Sequence, residues 1–493
     1  MKNYFKYAWS LMLLGALGCS DFGNTNVSPN GSAVPLTSAL LTNSLASGGY
    51  AGATGTGVTS GLYCQYFSQT LYTDASRYSL QDVNWGDLSG IIYDLQNIIN
   101  INSDPSTAAY AALNGSNNNQ IAVARILKAH RFSVLTDRYG DMPYSEALKG
   151  KPNPKFDTQQ SIYTDLFKEL KEAVAQFDNL PPAINGDILF NGDISRWKKY
   201  ANSLRLILAL RISKADPTKG SQEFNDVITN LGTNGGVLTT SADDITLTYP
   251  GNATEFYNPW FGFGADQNVS ATVANFLNTN TDDRRFGFGN VVAPSTNLVG
   301  MPYGYKRDDA LNWTSQPANK DHSLILNNAY RDKASTLTIL TAADVLLARA
   351  EAAVPVAKGG LGWTSEDYAA MYANGIMESW KHWNQYGTGT NYNAYMTKPV
   401  VDLASSTSTI AEKIATQRWI SFYPNGDQGW AEWRRTGFPV LAPAPQPANL
   451  SGLIPVRFIY FTGEYGLNPD NIKAAVALLD NGDTQESHVW WDK

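Results

Sequence analysis

The sequence predicts a mainly α-helical protein, in which tetratricopeptide-like helix pairs form the scaffold and carry long irregular loops and a few short strands. Three observations predict this class. Apolar residues recur at every third or fourth position in segments before residue 215 and after residue 340. Residues 215–335 are instead rich in Gly, Asn, Pro and Asp and show little helical period. Threonines stand three residues before an Asp or Glu at several predicted helix starts in the C-terminal part.

Four helices are predicted in the first part of the chain. Residues 85–100 and 120–138 each carry a wide apolar face at helical spacing. Asp157 and Thr158 can cap a third helix, which the prolines at 181 and 182 stop, and residues 195–213 give a fourth. Paired helices with short turns favour packing of the tetratricopeptide kind, although the irregular spacing of the helix starts does not display a 34-residue period.

The middle of the chain, residues 215–335, reads as irregular structure with a few strand-like pieces such as residues 245–249. A segment this long without regular structure is usually functional when it lies inside a compact domain. Its aromatic residues lie among Gly, Asn and Pro. They serve either as stacking surfaces for a ligand or as buried side chains that anchor the loops to the body.

Helices return in the C-terminal part, at residues 341–354, 365–384 and 409–423, with a last one at 469–480. The capping-box spacing is found in three pairs of residues: Thr341 and Asp344, Thr364 and Asp367, Thr409 and Glu412.

The first 18 residues have the pattern of an export signal. Lys2 and Lys6 precede an apolar run from Tyr7 to Leu17, and Gly18 and Cys19 follow. The run is too short for a membrane span, which needs about 20 apolar residues. A Cys at the cut site predicts lipidation of Cys19, as in a bacterial lipoprotein. The alternative is an ordinary signal peptide cut near Gly18, because Ala16 stands where the usual lipobox has Leu.

The chain is therefore divided into a signal at 1–18, a lipidated tether and start of the body at 19–60, and a single domain at 61–493. Residues 20–60 are rich in Gly, Ser, Thr, Asn and Pro, which is typical of a tether. Gly55-Thr56-Gly57 comes near a dinucleotide-binding pattern but lacks its last glycine and a preceding apolar strand, so we interpret it as flexible chain.

Charge and cysteine content exclude several classes of function. The net charge of −7 argues against nucleic acid as a partner, because phosphates require a basic stripe. It argues equally against electrostatic docking on anionic lipid. The sequence has two cysteines, Cys19 and Cys64. Cys64 lies among aromatic residues and is interpreted as a small buried hydrophobic residue.

Catalytic and metal-binding motifs are missing from the sequence. The four histidines are not at metal-ligand spacing, and there is no HExxH, CxxC, GxSxG or Walker A pattern. Adjacent aspartates at 243–244, 282–283 and 308–309 are interpreted as solvated turn residues, since neighbours on an extended chain point apart and cannot form a glycosidase pair. We expect no cofactor, although Asp308 and Asp309 could join a structural calcium site.

Several segments together resemble the SusD/RagB family of nutrient-binding outer-membrane lipoproteins, in its SusD-like group. They occur in the family's order and span most of the chain: FSVLTDRYGDMPYSEA at 132–147, residues 186–213, LTAADVLLARAEAA at 340–353, GWAEWRRTG at 429–437, IPVRFIYFTGEYGLN at 454–468 and the closing DTQESHVWWDK. Phe461 stands where the family usually has Pro.

The resemblance implies a lid-like protein without covalent chemistry. Such proteins cap a SusC-like TonB-dependent barrel in the outer membrane, bind a glycan or in some members a peptide, and deliver it to the barrel. The implied location is the outer membrane, lipid-anchored and facing outward. Outward orientation in the family uses acidic residues after the lipidated Cys, and here Asp21 alone is close. Trp433, Arg434 and Arg435 fall in a shared family element and are therefore expected to be structural.

Ligand contacts are expected from the loop aromatics, because the family makes its ligand surface from loops of the N-terminal part and the middle. Aromatic faces hold sugar rings, and nearby Asn, Asp and Arg bond the hydroxyls. Asn84, Asn258 and Asn312 are placed to help. The predicted ligand-binding residues are Tyr72, Arg77, Tyr78, Trp85, Tyr257, Trp260, Tyr303, Tyr305 and Trp313, with Phe261 beside Trp260.

Three functional hypotheses remain open from the sequence. The first is a glycan-binding lid on a transporter, and the second is the same scaffold binding a peptide or another nutrient. The third, a surface glycosidase, requires two carboxylates facing each other across one cleft.

Overall fold

The computed structural model describes residues 34–181, 183–251, 256–264, 266–313, 321–387 and 391–493. Helices dominate these ranges, and the strands form short two-stranded sheets. The predicted fold class, helix pairs with long irregular loops and few strands, is confirmed. The predicted signal and Cys19 lie outside the described residues.

The helices of eight or more residues are numbered in chain order. The first part contains α1 (Thr37–Ala46), α2 (Gly55–Tyr63), α3 (Ile91–Ser103), α4 (Asn117–Tyr139), α5 (Gln159–Gln176), α6 (Ile194–Arg211), α7 (Pro217–Thr229) and α8 (Ala271–Thr279). The second part contains α9 (Ala342–Ala353), α10 (Tyr368–His382), α11 (Ile410–Ser421), α12 (Gly426–Thr436) and α13 (Pro469–Val476).

Helices that follow one another in the chain pack side by side. Helices α3 to α7 form an array in which each packs against the next, and α6 continues the array onto α9. Helix α9 packs against α10 and α11, and α11 packs against α12. This is the tetratricopeptide-like scaffold. Helices α4, α6, α9 and α11 are buried on almost every side, so they form its centre.

The sequence located most of these helices to within a few residues. The predicted segment 85–100 is a short turn of helix, Gly86–Ser89, followed by α3. The two are separated at Gly90, whose φ of −113° and ψ of −108° lie outside the helical range. Ile92, Leu95 and Ile98 are buried, as the apolar spacing predicts.

Two of the three predicted capping boxes are present. Thr341 and Asp344 begin α9, and Thr409 and Glu412 begin α11, each with reciprocal side-chain to backbone hydrogen bonds. The third predicted capping box, Thr364 with Asp367, was wrong, because the helix begins three residues later than that pair requires. Asp367 is itself the N-cap of α10, where its carboxylate accepts hydrogen bonds from the backbone N–H groups of Ala369 and Ala370.

The middle of the chain contains more helix than its composition predicts. Helix α7 begins behind the N-cap Asp216, with Pro217 in the first turn, and buries Phe224 and Val227. Helix α8 begins behind the N-cap Ser270. Both are short, with few buried apolar residues, so their period is hidden by the polar loops on either side.

The strands pair antiparallel. Strand β4 (Ile245–Thr248), predicted at 245–249, pairs with β6 (Thr336–Leu340). Strand β1 (Phe67–Gln69) pairs with β5 (Gln267–Val269), and β2 (Met142–Pro143) pairs with β3 (Phe156–Asp157). The β1–β5 pair joins the end of α2 to the segment before α8, and it thereby sets the position of the loops described below.

Helices α1 and α2 lie in or at the end of the segment 19–60, for which the sequence predicts a lipidated tether and the start of the body. From Thr37 onward this segment belongs to the folded body, and residues 57–63 are buried. Gly57 is helical and not part of a flexible chain. The glycines serve close packing of α2 on α12, because a Cβ at Gly426 would lie 2.2 Å from the backbone nitrogen of Gly61.

Buried charges on α12 join this helix to its neighbours. The Asp427 carboxylate accepts hydrogen bonds from Arg138 of α4 at 2.8 and 2.7 Å and from Ser60 of α2 at 2.8 Å. Burial raises the pKa of Asp427, but the charge and hydrogen bonds of Arg138 outweigh it, so the pKa lies below its usual value.

Glu432 is the second buried charge on α12. Its carboxylate accepts hydrogen bonds from Arg418 of α11 at 3.0 and 3.1 Å and from Arg435 at 2.7 Å, and Arg435 also donates to Glu351 of α9 at 2.7 and 2.8 Å. Arg434 lies between the rings of Trp430 and Trp491. The predicted structural role of Arg434 and Arg435 agrees with these contacts.

No helix among the described residues has the length and apolar content that a membrane span requires. Cys64 is buried, as predicted, and burial raises the pKa of its thiol.

We predict that Glu432→Gln lowers the free energy of unfolding by about 3–5 kcal/mol, because it removes one of the two carboxylates that compensate the buried guanidinium groups of Arg418 and Arg435. Chemical denaturation measures this loss. Lys151→Gln, which removes one half of an exposed ion pair, is the control and should change stability little. A loss below about 1 kcal/mol in Glu432→Gln would contradict the assigned importance of the network.

Candidate functional site

Three segments that are far apart in sequence meet beside the β1–β5 pair. They are the chain after β1 (residues 70–78), the loop 301–313 and the C-terminal tail at 444–448. Ser68 Oγ donates to the Pro302 carbonyl at 2.7 Å, and the Ala448 N–H donates to the Arg77 carbonyl at 2.6 Å. We call this meeting point the loop junction.

Gln446 holds the loop junction together. Its backbone carbonyl accepts a hydrogen bond from Arg77 Nε at 2.6 Å, and its N–H donates to the Gly304 carbonyl at 3.2 Å. Its side-chain Oε1 accepts from the Lys306 N–H at 2.6 Å, and Nε2 donates to Asp309 Oδ2 at 2.7 Å. One residue therefore fixes the loop 301–313 against the segment that carries Arg77.

Tyr305 and Trp313 form an aromatic pair on this loop. Their ring centroids are 4.7 Å apart, with the planes at 77°, in the edge-to-face arrangement that aromatic rings favour. Trp313 is 39% exposed and Tyr305 is half-buried. Between them in sequence, the short helix Arg307–Leu311 carries Asp309 to Gln446, so the loop that bears the aromatic pair is fixed to the loop junction.

Tyr78 and Tyr303 lie beneath this surface. Their ring centroids are 6.5 Å apart, and both side chains are buried. The Tyr78 hydroxyl accepts a hydrogen bond from the Ala444 N–H at 2.7 Å, and burial raises the pKa of Tyr78 to about 12. The prediction that these two residues contact a ligand is corrected, because their rings support the loop from within.

Tyr72 and Arg77 remain at the edge of the loop junction. Tyr72 is 75% exposed, and its N–H shares the Asp266 carboxylate with those of Thr70 and Leu71. The Arg77 guanidinium is mostly covered, and its Nη1 lies 3.6 Å from Asp74. Of the asparagines, Asn84 and Asn312 are exposed.

Trp260 is buried and packs edge-on against Phe67 of β1, with ring centroids 5.9 Å apart. Its predicted ligand contact is therefore also corrected. Asn258 is buried too, and its side-chain amide donates to the Tyr330 carbonyl and to Ser335 Oγ. Both residues fix the turn Pro259–Gly262 to the core.

Tyr257 and Phe261 form a second aromatic patch on that turn. Their centroids are 5.9 Å apart, and Lys333 Nζ lies 5.7 and 5.1 Å from the two rings. Phe261 is 44% exposed, whereas Tyr257 is half-buried. The ammonium of Lys333 is the cation of this patch. Among the described residues, no hydrogen bond connects the patch directly to Gln446.

Trp85 lines a separate cleft of about 340 Å³, which is also lined by Glu464, Leu467 and Asn468. Its indole N–H donates to Glu464 Oε1 at 2.7 Å, and its ring packs against Tyr139 with centroids 4.8 Å apart. Burial raises the pKa of Glu464. Proline and leucine side chains complete the cleft. The predicted ligand residues therefore fall in three places, and the loop junction unites the largest number of them.

Several adjacent aspartates are structural and not solvated, which corrects the sequence interpretation. Asp282 and Asp283 are buried, and they pair with Arg284 and Arg285. Asp244 is buried, where it accepts hydrogen bonds from the Ala342 N–H and His382. These carboxylates have structural partners, so they do not supply the facing pair that a glycosidase needs.

Within the described ranges, no group of three or more His, Cys, Asp or Glu side chains could hold a metal ion. A structural calcium ion at Asp308 and Asp309 stays a prediction.

Sequence reasoning missed Gln446 and Asp309 as residues of the site, and it missed Lys333. Gln446 lies in the Pro- and Gly-rich tail, more than 100 residues after the loop that it holds. No local pattern marks it, because its role depends on long-range hydrogen bonds.

A family model described as SusD-like, starch-binding associating with outer membrane, matches residues 29–461. No curated protein matches this chain.

Solved structures share the fold over almost the whole chain. A chitin-binding protein is similar over 92% of this chain and 99% of its own, with 26% identity and a TM-score of 0.76. A SusD homolog from Bacteroides uniformis covers 93% of this chain and 99% of its own, with 24% identity and a TM-score of 0.74. A chitin-binding SusD homolog from Flavobacterium johnsoniae covers 93% and 98%, with 21% identity and a TM-score of 0.72.

We predict that Gln446→Ala speeds hydrogen exchange at the Lys306 amide by about five- to tenfold, because it removes the side-chain acceptor of that N–H. Exchange followed by mass spectrometry or NMR measures the effect. Asn449→Ala is the control, since Asn449 bonds within its own turn and to Glu486. Unchanged exchange at Lys306 would contradict the assigned role of Gln446.

Proposed function

This chain belongs to the SusD-like family, and from that membership we propose that it is a nutrient-binding protein of the outer membrane that captures a glycan at the loop junction. The glycan is then delivered to a SusC-like TonB-dependent transporter. The protein performs no covalent chemistry in this scheme.

The Tyr305–Trp313 pair, with Trp313 exposed and Tyr305 half-buried, is the observation that carries the proposal. An aromatic face covers the apolar C–H face of a pyranose ring, and burying such a face excludes water from it. Two rings held edge-to-face present differently oriented surfaces, which suits a bent oligosaccharide better than a flat ligand. The resemblance to a chitin-binding protein at 26% identity supports a polysaccharide as the ligand class.

Polar groups beside the pair can bond the sugar hydroxyls. Asp309 offers carboxylate acceptors, and Arg77 offers the part of its guanidinium that is not covered; Gln446 already orients both. Because these groups are fixed before binding, a glycan orders few protein side chains when it binds. A site of this kind discriminates among sugars by the positions of their hydroxyls.

Delivery requires that the protein stay beside its transporter. Lipidation of Cys19 would hold the folded body at the membrane surface, facing outward, while its helices contact the barrel. The family description, which places these proteins with the outer membrane, supports this location.

We predict that Trp313→Ala and Tyr305→Ala each weaken glycan binding by about tenfold or more, as expected for the loss of one buried aromatic face. A glycan array identifies the ligand, with chitin and starch oligosaccharides as first probes, and calorimetry then measures the variants. Tyr110→Ala removes an aromatic side chain that is also 39% exposed but lies elsewhere, and it should bind like the wild type.

Two results would contradict the proposal. One is wild-type affinity in both loop variants. The other is an array without glycan binding, followed by binding of peptides that depends on the same two aromatic residues, which would favour the peptide-binding alternative.

We predict that Cys19→Ser abolishes incorporation of a fatty-acid label and moves the protein out of the membrane fraction. Cys64→Ser is the matched control and should keep the label, because Cys64 is buried in the folded body. Labelling that persists in Cys19→Ser would contradict lipidation at this residue.

A further inference from the structure

A cavity of about 600 Å³ lies among helices α3, α4 and α5 and the segment 144–149. Its volume falls within the range of about 300–1,000 Å³ that small-molecule sites occupy. The polar residues around it include Gln96, Lys128, Tyr144, Lys149, Asp165 and Glu169. None of these belongs to the loop junction.

Lys128 is the central charge of this cavity. It is half-buried on α4, and its Nζ donates to Gln96 Oε1 at 3.0 Å. Within the described ranges Lys128 forms no ion pair. Burial lowers the pKa of Lys128, even though Glu169 and Asp165 act in the opposite direction. The ammonium therefore has two further N–H donors and a charge that its surroundings compensate only in part.

The carboxylates that line the cavity already have partners. Glu169 accepts hydrogen bonds from Arg125 Nε and Nη2, both at 3.0 Å. Asp165 accepts one from the Tyr144 hydroxyl at 2.7 Å. Lys149, on the rim, is exposed, and like Lys128 it is outside the ion pairs of the described residues. Lys128 is therefore the half-buried cation of this lining whose remaining N–H donors are not taken up by a carboxylate of the described residues.

The remaining walls suit a hydroxylated ring. Tyr144 is half-buried and held edge-on against Phe132, with ring centroids 4.6 Å apart. The side-chain amides of Gln96 and Asn100, joined at 2.9 Å, add donors and acceptors. Aromatic, amide and cationic groups in one cavity are a combination that recognises a sugar bearing a negative charge.

We propose that this cavity binds a small acidic sugar, such as a uronic acid, with its carboxylate on Lys128 and its ring against Tyr144. The site goes beyond the glycan surface of the loop junction, because it uses other helices and other side chains. It gives the protein a second contact for glycans that contain acidic residues, or a separate site for free acidic sugars.

Calorimetric titration with D-glucuronic acid tests the proposal, with D-glucose and sodium sulfate as the neutral and the purely anionic probe. Lys128→Met should weaken glucuronate binding at least about tenfold, since a charge-assisted hydrogen bond is lost. Lys128→Arg keeps the charge and should retain more of the binding than Lys128→Met. Lys473→Met, which removes an exposed lysine on α13, should bind like the wild type.

The results separate this site from the loop junction. Trp313→Ala should leave glucuronate binding unchanged, and Lys128→Met should leave binding of a neutral oligosaccharide unchanged. Thermal melting shows whether each variant is folded, and the Arg variant tests the charge if the Met variant is not. The proposal is overturned if wild-type protein does not bind glucuronate, if Lys128→Met binds it with unchanged affinity, or if glucose or sulfate binds as tightly.

Discussion

The buried charges of α12 are the interaction on which the rest of the structure depends. Asp427 ties this helix to α2 and α4, and Glu432 with Arg435 ties it to α11 and α9. Each of these charges was removed from water, which is costly, and the close opposite charges offset that cost only in this one arrangement. The network therefore favours this one way for the two parts of the helical scaffold to meet, because any other would leave a buried charge without its partner.

That fixed geometry extends to the ligand loops. Helix α2 lies close against α12, and the chain leaves α2 directly into β1 and then into the segment that carries Arg77. The tail after α12 returns to the same place and delivers Gln446. The rigid scaffold thus brings both sides of the loop junction together, and the buried rings of Tyr78 and Tyr303 pack against each other within it. Binding at such a surface needs little rearrangement, which favours affinity.

The helices were predictable where the pattern is local. The apolar spacing of α3 and the capping boxes of α9 and α11 can be read within a few residues, because each depends on neighbours along the chain. Helix α7 was missed because its buried face is small. In the candidate site, residue type and loop context predict Tyr305 and Trp313 as ligand residues, and the structure leaves Trp313 exposed and Tyr305 half-buried. Tyr78, Trp260 and Tyr303 share that type and context but lie in the core, since burial depends on what packs over a residue.

The sequence by itself determined the fold class and the family, since these follow from local periodicity and from short motifs in a fixed order. Only the tertiary structure decided which aromatic residues face the solvent and that Gln446 joins the loops. It also decided that Lys128 lines a cavity and that this lysine forms no ion pair with another described residue. The physical reason is the same in each case. Exposure, charge compensation and long-range hydrogen bonds are properties of residues brought together from distant positions, and no local pattern encodes them.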